Sequence, residues 1–555
     1  MTSSVNSCSG PAFCPGDAGF SVITYNMRSL LTVRELLSPI RWFRINNRNA
    51  EHVFTCSFIA LVFCISYGSP VLIKMKLPAT DTTVDVQVTV KTNEVIHITD
   101  DRFLSVGFTV GDLSQHWKDD DLGSRRLQNL AKGLSPAYLR LGGSRANFAT
   151  FKETALDIEG HKGFKNFTFT GKDWDNINDF SREVGWRFIF DVNEFLRRNG
   201  HWDPNNLEKL LAYNTMKNYT VWAWQMGNEP NAYKHSEGVT MTATQVAKDF
   251  IKFRALLNAR KQYRDSLVIG PDVTEPRHLL GMSSVKFLQT FLSKCGDCTN
   301  VTTFHSYYLR TSTAKLDDFI NPATLDVLRA EIKAIREVVQ KYRSSAQARI
   351  WLSETGDSVP GGVSGISDRY VGGFPFLDKL GVTAQEGLEV VIKQQFIGRF
   401  VGLVNESNIE PRPAYWVAYL HKQLIGRRVL NVTTNQQGAD NLRIYAHCTQ
   451  TRNLRYHSGD VTVIALNLDK TKAMQLHLQG SLAGKNIDEY LLTPSGDEGL
   501  QSRYVYLNGI KLEMTSDFHL PVLRPHPLLN PAKITLPPLS YGYYVILKPS
   551  VQVCM

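Results

Sequence analysis

Two glutamates follow apolar runs of the sequence, where a carboxylate is costly to bury unless it is paired or used. Glu229 stands in WAWQMGNEPNAY (222–233), after the run YTVWAW, and Glu354 stands in ARIWLSET (348–355). A pair of facing carboxylates performs glycoside hydrolysis: one is the nucleophile, and the other, with a raised pKa, protonates the leaving oxygen. Either glutamate alone would fit a helix-cap neighbour or a surface ion pair, so the prediction depends on the two together.

Several polar side chains accompany this pair. Asn228 is predicted to bond a sugar hydroxyl, and His305 or Tyr307 to orient the nucleophile and tune its charge. The alternatives are a core histidine at 305 and plain aromatic packing at 307 and at Tyr308. Asp272, after another apolar run, is interpreted as a cap of the following loop.

Other catalytic chemistries lack the required patterns. No cluster of His, Cys and carboxylates has metal-ligand spacing, and no G-x-S-x-G lies between a strand and a helix. We therefore expect no metal and no cofactor.

The elements that position the two glutamates repeat along the chain. Eight short apolar runs alternate with segments of helical period: 103–110, 137–143, 186–193, 219–227, 266–273, 301–309, 348–355 and 387–394. This rhythm predicts an α/β protein with a (β/α)8 TIM barrel at 98–424. An open doubly wound sheet is the competing assignment, but no glycine-rich phosphate loop follows the first run. Glu229 and Glu354 then lie at the mouths of strands 4 and 7, where barrel active sites are found.

A second pattern begins near residue 425. Short, partly alternating runs such as DVTVIALNL and YGYYVILKP are separated by turn residues, which predicts an all-β sandwich. The alternating run TVDVQVTVKT (83–92) is expected to join it. The predicted organisation is therefore an N-terminal extension (1–75), the catalytic barrel (98–424) and a sandwich domain made of 78–97 plus 425–555.

Charge and targeting signals suggest where the protein acts and on what. The net charge is +10, of which residues 1–70 supply +2, five Arg against three acids, so the rest of the chain keeps about +8. That favours a polyanionic partner, nucleic acid or acidic polysaccharide, although an ordinary basic surface is the simpler alternative. A basic segment before the apolar run 53–67 predicts a secretory signal, or else an uncleaved signal anchor that would place the protein on a membrane.

Sequons and cysteines fit the secretory route. Five Asn-x-Ser/Thr sequons predict glycosylation at Asn166, Asn218, Asn300, Asn405 and Asn431. We expect a secreted, extracellular or lysosomal protein. Cys295 and Cys298 are interpreted as a local loop bridge or as two free thiols.

The sequence resembles the heparanase-like endo-β-glucuronidases, a family of retaining (β/α)8 glycosidases that includes the leech-type hyaluronidases. The matching stretches are LAKGLSPAYLRLGG, WQMGNEPN, VIGPDV, FHSYYL, WLSETG, SDRYVGGFPFLDKLG, RIYAHCT and YLLTPSG. The resemblance implies Glu229 as acid/base, Glu354 as nucleophile and a disulfide between Cys448 and Cys554. It places these residues at the substrate: Asn228, His305, Tyr307, Ser144, Arg277, Lys162, Lys165, Gly361 and Gly362.

Departures from the family pattern bear on the substrate. The region between Phe148 and Phe180 is short, so we expect one unprocessed chain. Leu279 replaces a basic residue, and Val401 and Gly402 stand where a substrate-contacting tyrosine is expected. The resemblance implies an enzyme that cleaves heparan sulfate, with hyaluronan as the alternative substrate. We expect a monomer with no nucleic-acid partner. A non-catalytic glycosaminoglycan-binding protein is the third candidate, against which the presence of Glu354 argues.

Overall fold

The computed structural model describes residues 83–115, 122–152, 166–276, 283–435, 440–516 and 519–555. The predicted signal segment, Lys162, Lys165 and Arg277 lie outside these residues. Within the part described, no helix is both long and apolar enough to cross a membrane.

Eight parallel strands close into a barrel, which confirms the predicted fold class. The strands are β1 (Leu104–Thr109), β2 (Tyr138–Gly142), β3 (Arg187–Val192), β4 (Ala223–Met226), β5 (Leu267–Val273), β6 (Val301–Arg310), β7 (Ile350–Val359) and β8 (Val390–Gln394). Each lies within or overlaps one of the eight apolar runs. Their residues are almost all buried, because side chains fill the barrel on one face and helices cover the other.

One longer helix follows each strand. These are α1 (Arg125–Gly133), α2 (Gly171–Glu183), α3 (Asn205–Lys217), α4 (Ala243–Asn258), α5 (Ser284–Cys295), α6 (Pro322–Tyr342), α7 (Gly373–Gln385) and α8 (Pro413–Leu424). Several begin at a side chain that satisfies a free backbone N–H: Thr170 and Asp173 form a capping box at α2, and Asn321 caps α6. The strands of the barrel therefore end together on one face, which carries the connections to the helices.

Shorter elements lie in the connections between the longer strands and helices or at the C-terminus. They are a helical turn at Tyr233–Ser236, and the two-stranded pairs Ala149–Phe151 with Phe167–Phe169, Arg197–Arg198 with His201–Trp202, and Ile397–Gly398 with Val404–Asn405. The 3-10 helices are Val110–Gln115, Ser144–Phe148, Leu316–Ile320, Ser345–Gln347, Tyr370–Gly372, Gly480–Leu482, Gly499–Gln501 and Gln552–Cys554.

Two further sheets accompany the barrel. A four-stranded sheet has the order Val432–Thr434, Thr83–Val90, Ala473–Leu478, Ile534–Leu536. A nine-stranded sheet has the order His97–Ile98, Ile425–Leu430, Leu442–Thr449, Val461–Asn467, Ser540–Ile546, Ile487–Pro494, Val505–Leu507, Ile510–Lys511, and His526–Leu528 also pairs with Ile487–Pro494. Their buried apolar residues form one cluster, so the sheets pack on each other. As expected, the strand that begins at Thr83 joins them.

Residues 80–555 form one compact unit. Tyr445 of the larger sheet donates a 2.6 Å hydrogen bond to the buried Asp378 of α7. Its ring packs so closely against Gly381 that a Cβ at that position would clash with it. Tyr543 donates to the carbonyl oxygen of Val417 in α8 at 2.9 Å. The sheets are thus bonded to the helices of the barrel, and the proposed division into domains near residue 425 stays a prediction.

Two disulfides are present among the described residues. Cys448 is bonded to Cys554, as the family resemblance implies, and joins a central strand to the C-terminal 3-10 helix. Cys295 is bonded to Cys298, so the loop-bridge interpretation is confirmed over the free-thiol alternative.

Candidate active site

Glu229 lies two residues beyond Gly227, which directly follows β4. Its backbone has φ 58°, in the left-handed region, a conformation that costs about 1–3 kcal/mol in a non-glycine residue and clusters at functional sites. The turn is held because its N–H donates to the carbonyl oxygen of Asp272 in β5 at 3.1 Å. A Cβ at Gly227 (φ 74°) would collide with Glu194 and Tyr233, so only glycine fits there. The side chain of Glu229 is 25% exposed.

Glu354 lies inside β7 rather than at its end, so its predicted location needs correction. β6 and β7 continue together to Arg310 and Val359, and their pairing shifts register at a bulge next to His305. After this shift His305 is paired with Glu354 and Tyr307 with Gly356. The Glu354 side chain is 13% exposed. A bulge changes the direction of nearby side chains, and apolar runs in the sequence do not reveal it.

Arg140 is the residue that the sequence analysis missed. Its side chain is fully buried in β2. It donates to Glu354 Oε2 at 2.8 Å, to Asp272 Oδ2 at 2.7 Å, to Asn228 Oδ1 at 3.0 Å and to Gln225 Oε1 at 3.0 Å. The available signal was a single cation inside the apolar run AYLRLGG, since a buried arginine requires anionic partners.

The interpretation of Asp272 as a loop cap was wrong. The residue is fully buried, and its carboxylate accepts hydrogen bonds from Arg140, His305, Gln225 and Ser353. Burial raises the pKa of Asp272, but the charges of Arg140 and His305 lower it by more and hold it well below its usual range. Asp272 is therefore a fixed anion beneath the two candidate glutamates.

His305 and Tyr307 divide between the two glutamates. His305 Nδ1 lies 2.8 Å from Glu229 Oε1, and its Nε2 lies 2.9 Å from Asp272 Oδ2. The Tyr307 hydroxyl donates to Glu354 Oε1 at 2.8 Å. Tyr307 thus orients the predicted nucleophile, whereas His305 contacts the predicted acid. Neither is only a packing residue of the core.

The two glutamates have opposite electrostatic environments. Burial raises the pKa of Glu229 more than the hydrogen bond and charge of His305 lower it, and the charge of Glu354 raises it further. Burial also raises the pKa of Glu354, but His305, Arg140 and the Tyr307 hydrogen bond together bring that pKa below its usual value. Glu229 is therefore favoured as the protonated partner and Glu354 as the ionised one.

The charges of the cluster explain this asymmetry. The pKa of His305 is raised well above its usual value: burial opposes its charge, but the charges of Asp272 and Glu354 prevail. The cations of Arg140 and His305 then balance the anions of Asp272 and Glu354. Asp191, whose carboxylate lies 3.8 Å from Arg140 and makes no hydrogen bond to a described residue, has a pKa raised well above its usual value by burial.

The remaining predicted substrate residues are spread over several loops around the barrel. Asn228 is buried beside Arg140, and Ser144 begins the 3-10 helix after β2, where it is half-buried. Gly361 and Gly362 have φ of 70° and 82° in the turn after β7, and a Cβ at Gly362 would press on the backbone at Val401. Their roles in binding stay predictions.

Chemically, the arrangement can donate a proton from Glu229 while Glu354 attacks or stabilises a cationic carbon. This is the two-carboxylate machinery of glycoside hydrolysis, with a raised pKa on the acid and a charge-stabilised second carboxylate.

Comparisons with known proteins agree with this chemistry. Residues 116–381 match the family described as glycosyl hydrolase family 79, N-terminal domain. Heparanase of Bos taurus is 34% identical over 478 residues, which cover 78% of this chain and 86% of that protein. Hyaluronoglucuronidase of Hirudo nipponia is 29% identical over 504 residues, which cover 85% and 99% respectively.

A solved structure shares the fold. The 4-O-α-L-rhamnosyl-β-D-glucuronidase of Fusarium oxysporum superposes with a TM-score of 0.61 at 18% identity, and the match covers 83% of this chain and all of that one.

Proposed function

The chain belongs to glycosyl hydrolase family 79, and from this premise we propose that it is a retaining endo-β-glucuronidase that cleaves internal β-glucuronosyl linkages of glycosaminoglycans. That it is a glycoside hydrolase follows from its family. The finer proposal is supported by the similarity to heparanase and hyaluronoglucuronidase. The roles of the two glutamates are supported by the hydrogen bonds of Arg140 and Tyr307 to Glu354 and by the opposite pKa shifts of Glu229 and Glu354.

The reaction proposed has two steps. Glu354 attacks the anomeric carbon of the glucuronosyl unit while Glu229 gives its proton to the departing glycosidic oxygen, which leaves a glycosyl ester on Glu354. Glu229, now ionised, takes a proton from a water molecule, whose oxygen attacks the same carbon and releases Glu354. The two inversions retain the β configuration. His305, in contact with Glu229, and Tyr307 and Arg140, in contact with Glu354, stabilise these protonation states.

Heparan sulfate is the proposed substrate. Its support is the similarity to heparanase together with a basic chain of net charge +10. Hyaluronan is the second candidate because the loop after β8 places apolar Val401, which is buried, beside Gly356 and Tyr307, whose hydroxyl bonds Glu354. An unsulfated polysaccharide needs fewer cationic contacts than a sulfated one.

The decisive experiment digests heparan sulfate and hyaluronan side by side and identifies the new reducing end. Glucuronate at the reducing end of the heparan sulfate products is expected, and NMR should detect the β-anomer first. A reducing-end hexosamine excludes a glucuronidase, and an α-anomer excludes retention. Binding to heparin with no cleavage of either polymer from about pH 4 to 7 would favour the non-catalytic alternative.

We also propose that the protein is a secreted or lysosomal glycoprotein that acts as a monomer. The support is the N-terminal signal pattern and five sequons; Asn166, Asn218 and Asn300 are exposed, and Asn405 and Asn431 are half-buried. Sequencing the mature N-terminus, glycopeptide mass spectrometry and light scattering test the signal, the glycans and the oligomeric state in turn. An uncleaved N-terminus in membrane fractions would indicate the anchor instead.

A further inference from the structure

A cavity of about 370 Å³ opens where β3 and β4 begin, on the barrel face opposite the catalytic carboxylates. Its volume falls within the ~300–1,000 Å³ of pockets that enclose small ligands. Trp186 precedes β3 and Trp222 precedes β4, and both line the cavity. Because the strands are parallel, these residues lie a full strand length from Glu229.

All three residues of one sequon line this cavity: Asn218, Tyr219 and Thr220. Asn218 ends helix α3 with φ 55°, a left-handed conformation that turns the chain at the cavity rim. It is exposed, and its side-chain amide makes no hydrogen bond to another described residue. By contrast, the amide oxygen of sequon residue Asn300 accepts a 2.8 Å hydrogen bond from the backbone of Val268.

The walls have the chemistry that recognises a sugar. Trp186, Tyr219 and Trp222 line the cavity; Trp222 is half-buried, whereas Trp186 and Tyr219 are buried, and the Arg187 guanidinium lies 3.7 Å from the centre of the Trp222 ring. The indole N–H groups of Trp186 and Trp222 have no hydrogen-bond acceptor among the described residues. A pyranose offers an apolar face to the exposed part of the Trp222 ring, whereas both indole nitrogens are themselves buried.

We propose that the N-acetylglucosamine core of a glycan on Asn218 docks in this cavity and packs against Trp222. The occupant follows from the sequon itself, since a sugar attached at Asn218 starts at the rim and reaches the aromatic wall without a second molecule. The inference rests on the proposed secretory route and is independent of the catalytic proposal. Such a glycan would stabilise the N-terminal face of the barrel without touching the active site.

The test compares two sites in the full chain secreted from a eukaryotic host. Native endoglycosidase release, followed by glycopeptide mass spectrometry, measures how fast the glycan leaves Asn218 and the exposed control Asn166. Release from Asn218 is expected to be about tenfold slower, because the docked sugar must first detach. Trp222→Ala should abolish the difference, and Trp222→Phe, which keeps a smaller aromatic ring, should reduce it.

Other outcomes contradict the proposal. If the glycans leave Asn218 and Asn166 of the unmodified chain at equal rates, docking is excluded. This comparison needs no variant, so it remains valid even if Trp222→Ala does not fold. Absence of a glycan from Asn218 alone also overturns it, whereas absence from all five sequons overturns the secretory proposal as well. Cleavage of heparan sulfate should be unchanged in Trp222→Phe. If the unmodified chain does not cleave heparan sulfate, that result contradicts the catalytic proposal and not the docking of the glycan.

Discussion

His305 joins Glu229 through a 2.8 Å hydrogen bond between Nδ1 and Oε1, and the same ring reaches the buried carboxylate of Asp272 through Nε2. Because Asp272 is a fixed anion, the imidazole is favoured as a cation between that ionised carboxylate and Glu229, whose pKa is raised by burial. This relationship ties the pKa of Glu229 to charges on β5 and β6.

Replacing the proposed nucleophile should stop cleavage while leaving the fold intact. Glu354→Gln keeps the side-chain shape but cannot form the glycosyl ester, so we expect kcat/KM to fall by about a thousandfold or more, in line with loss of a group that acts in the transition state. Melting temperature and rates on heparan sulfate are measured together. Glu410→Gln, at a surface ion pair with Arg126, is the matched control and should leave both unchanged. Full activity of Glu354→Gln would refute the assigned role.

Removing the His305 cation should move the whole pH profile upward. Activity falls as pH rises through the raised pKa of Glu229, which must be protonated, and as pH falls through the lowered pKa of Glu354, which must be ionised. His305 lowers both pKa values, so both limbs of kcat/KM should shift to higher pH in His305→Gln. If kcat/KM decreased while both limbs stayed at their original pH, His305 would have a structural role instead.

Tyr307→Phe should affect one limb alone. Its hydroxyl donates to Glu354, and loss of a hydrogen bond to a charged group costs about 1.5–3 kcal/mol, a decrease of roughly 10–100-fold in rate. The acid limb should shift to higher pH because the pKa of Glu354 rises, while the alkaline limb set by Glu229 stays in place. An equal shift of both limbs would contradict this separation.

Arg140→Leu should destabilise the fold by about 3–5 kcal/mol at neutral pH, because two buried or nearly buried carboxylates lose their partner. In the native protein Asp272 has a depressed pKa, so its stabilising contribution is present above the unfolded pKa and is lost only in strong acid. In the variant the pKa values of Asp272 and Glu354 rise, and the folded state binds more protons. The loss should therefore be smaller at pH 4.5 than at pH 7 in urea unfolding.

Lys132→Leu serves as the control for Arg140→Leu, since Lys132 pairs with Glu183 at the surface and should contribute about 1 kcal/mol or less. An Arg140→Leu loss no larger than this, at both pH values, would contradict the charge balance described for the cluster.

The two disulfides should differ in their contribution to the free energy of unfolding. Cys448 and Cys554 are 106 residues apart, and closing a loop of that length restricts the unfolded chain far more than closing one of three. Replacing this pair by alanine should cost about 2–5 kcal/mol, and replacing Cys295 and Cys298 should cost less. Urea unfolding of both variants checks the order, and the reverse order would contradict it.

The barrel and the glutamate pair were accessible from the sequence because their signals are local. Each strand buries both faces, so the eight apolar runs stand out, and Glu229 and Glu354 are lone acids just after one of these runs and near the end of another. The strand that begins at Thr83 was found for the same reason, since its alternation marks one buried face.

The charge cluster was accessible only from the tertiary structure. Arg140 was not predicted as a site residue and Asp272 was interpreted as a loop cap, because nothing local shows that β2 and β5 bring them within 2.7 Å. The bulge between β6 and β7 likewise decided that Tyr307, not His305, bonds Glu354. Sequence alone therefore determined the fold class and the two carboxylates, whereas their unequal protonation depends on long-range Coulomb interactions and burial, which exist only once the barrel has closed.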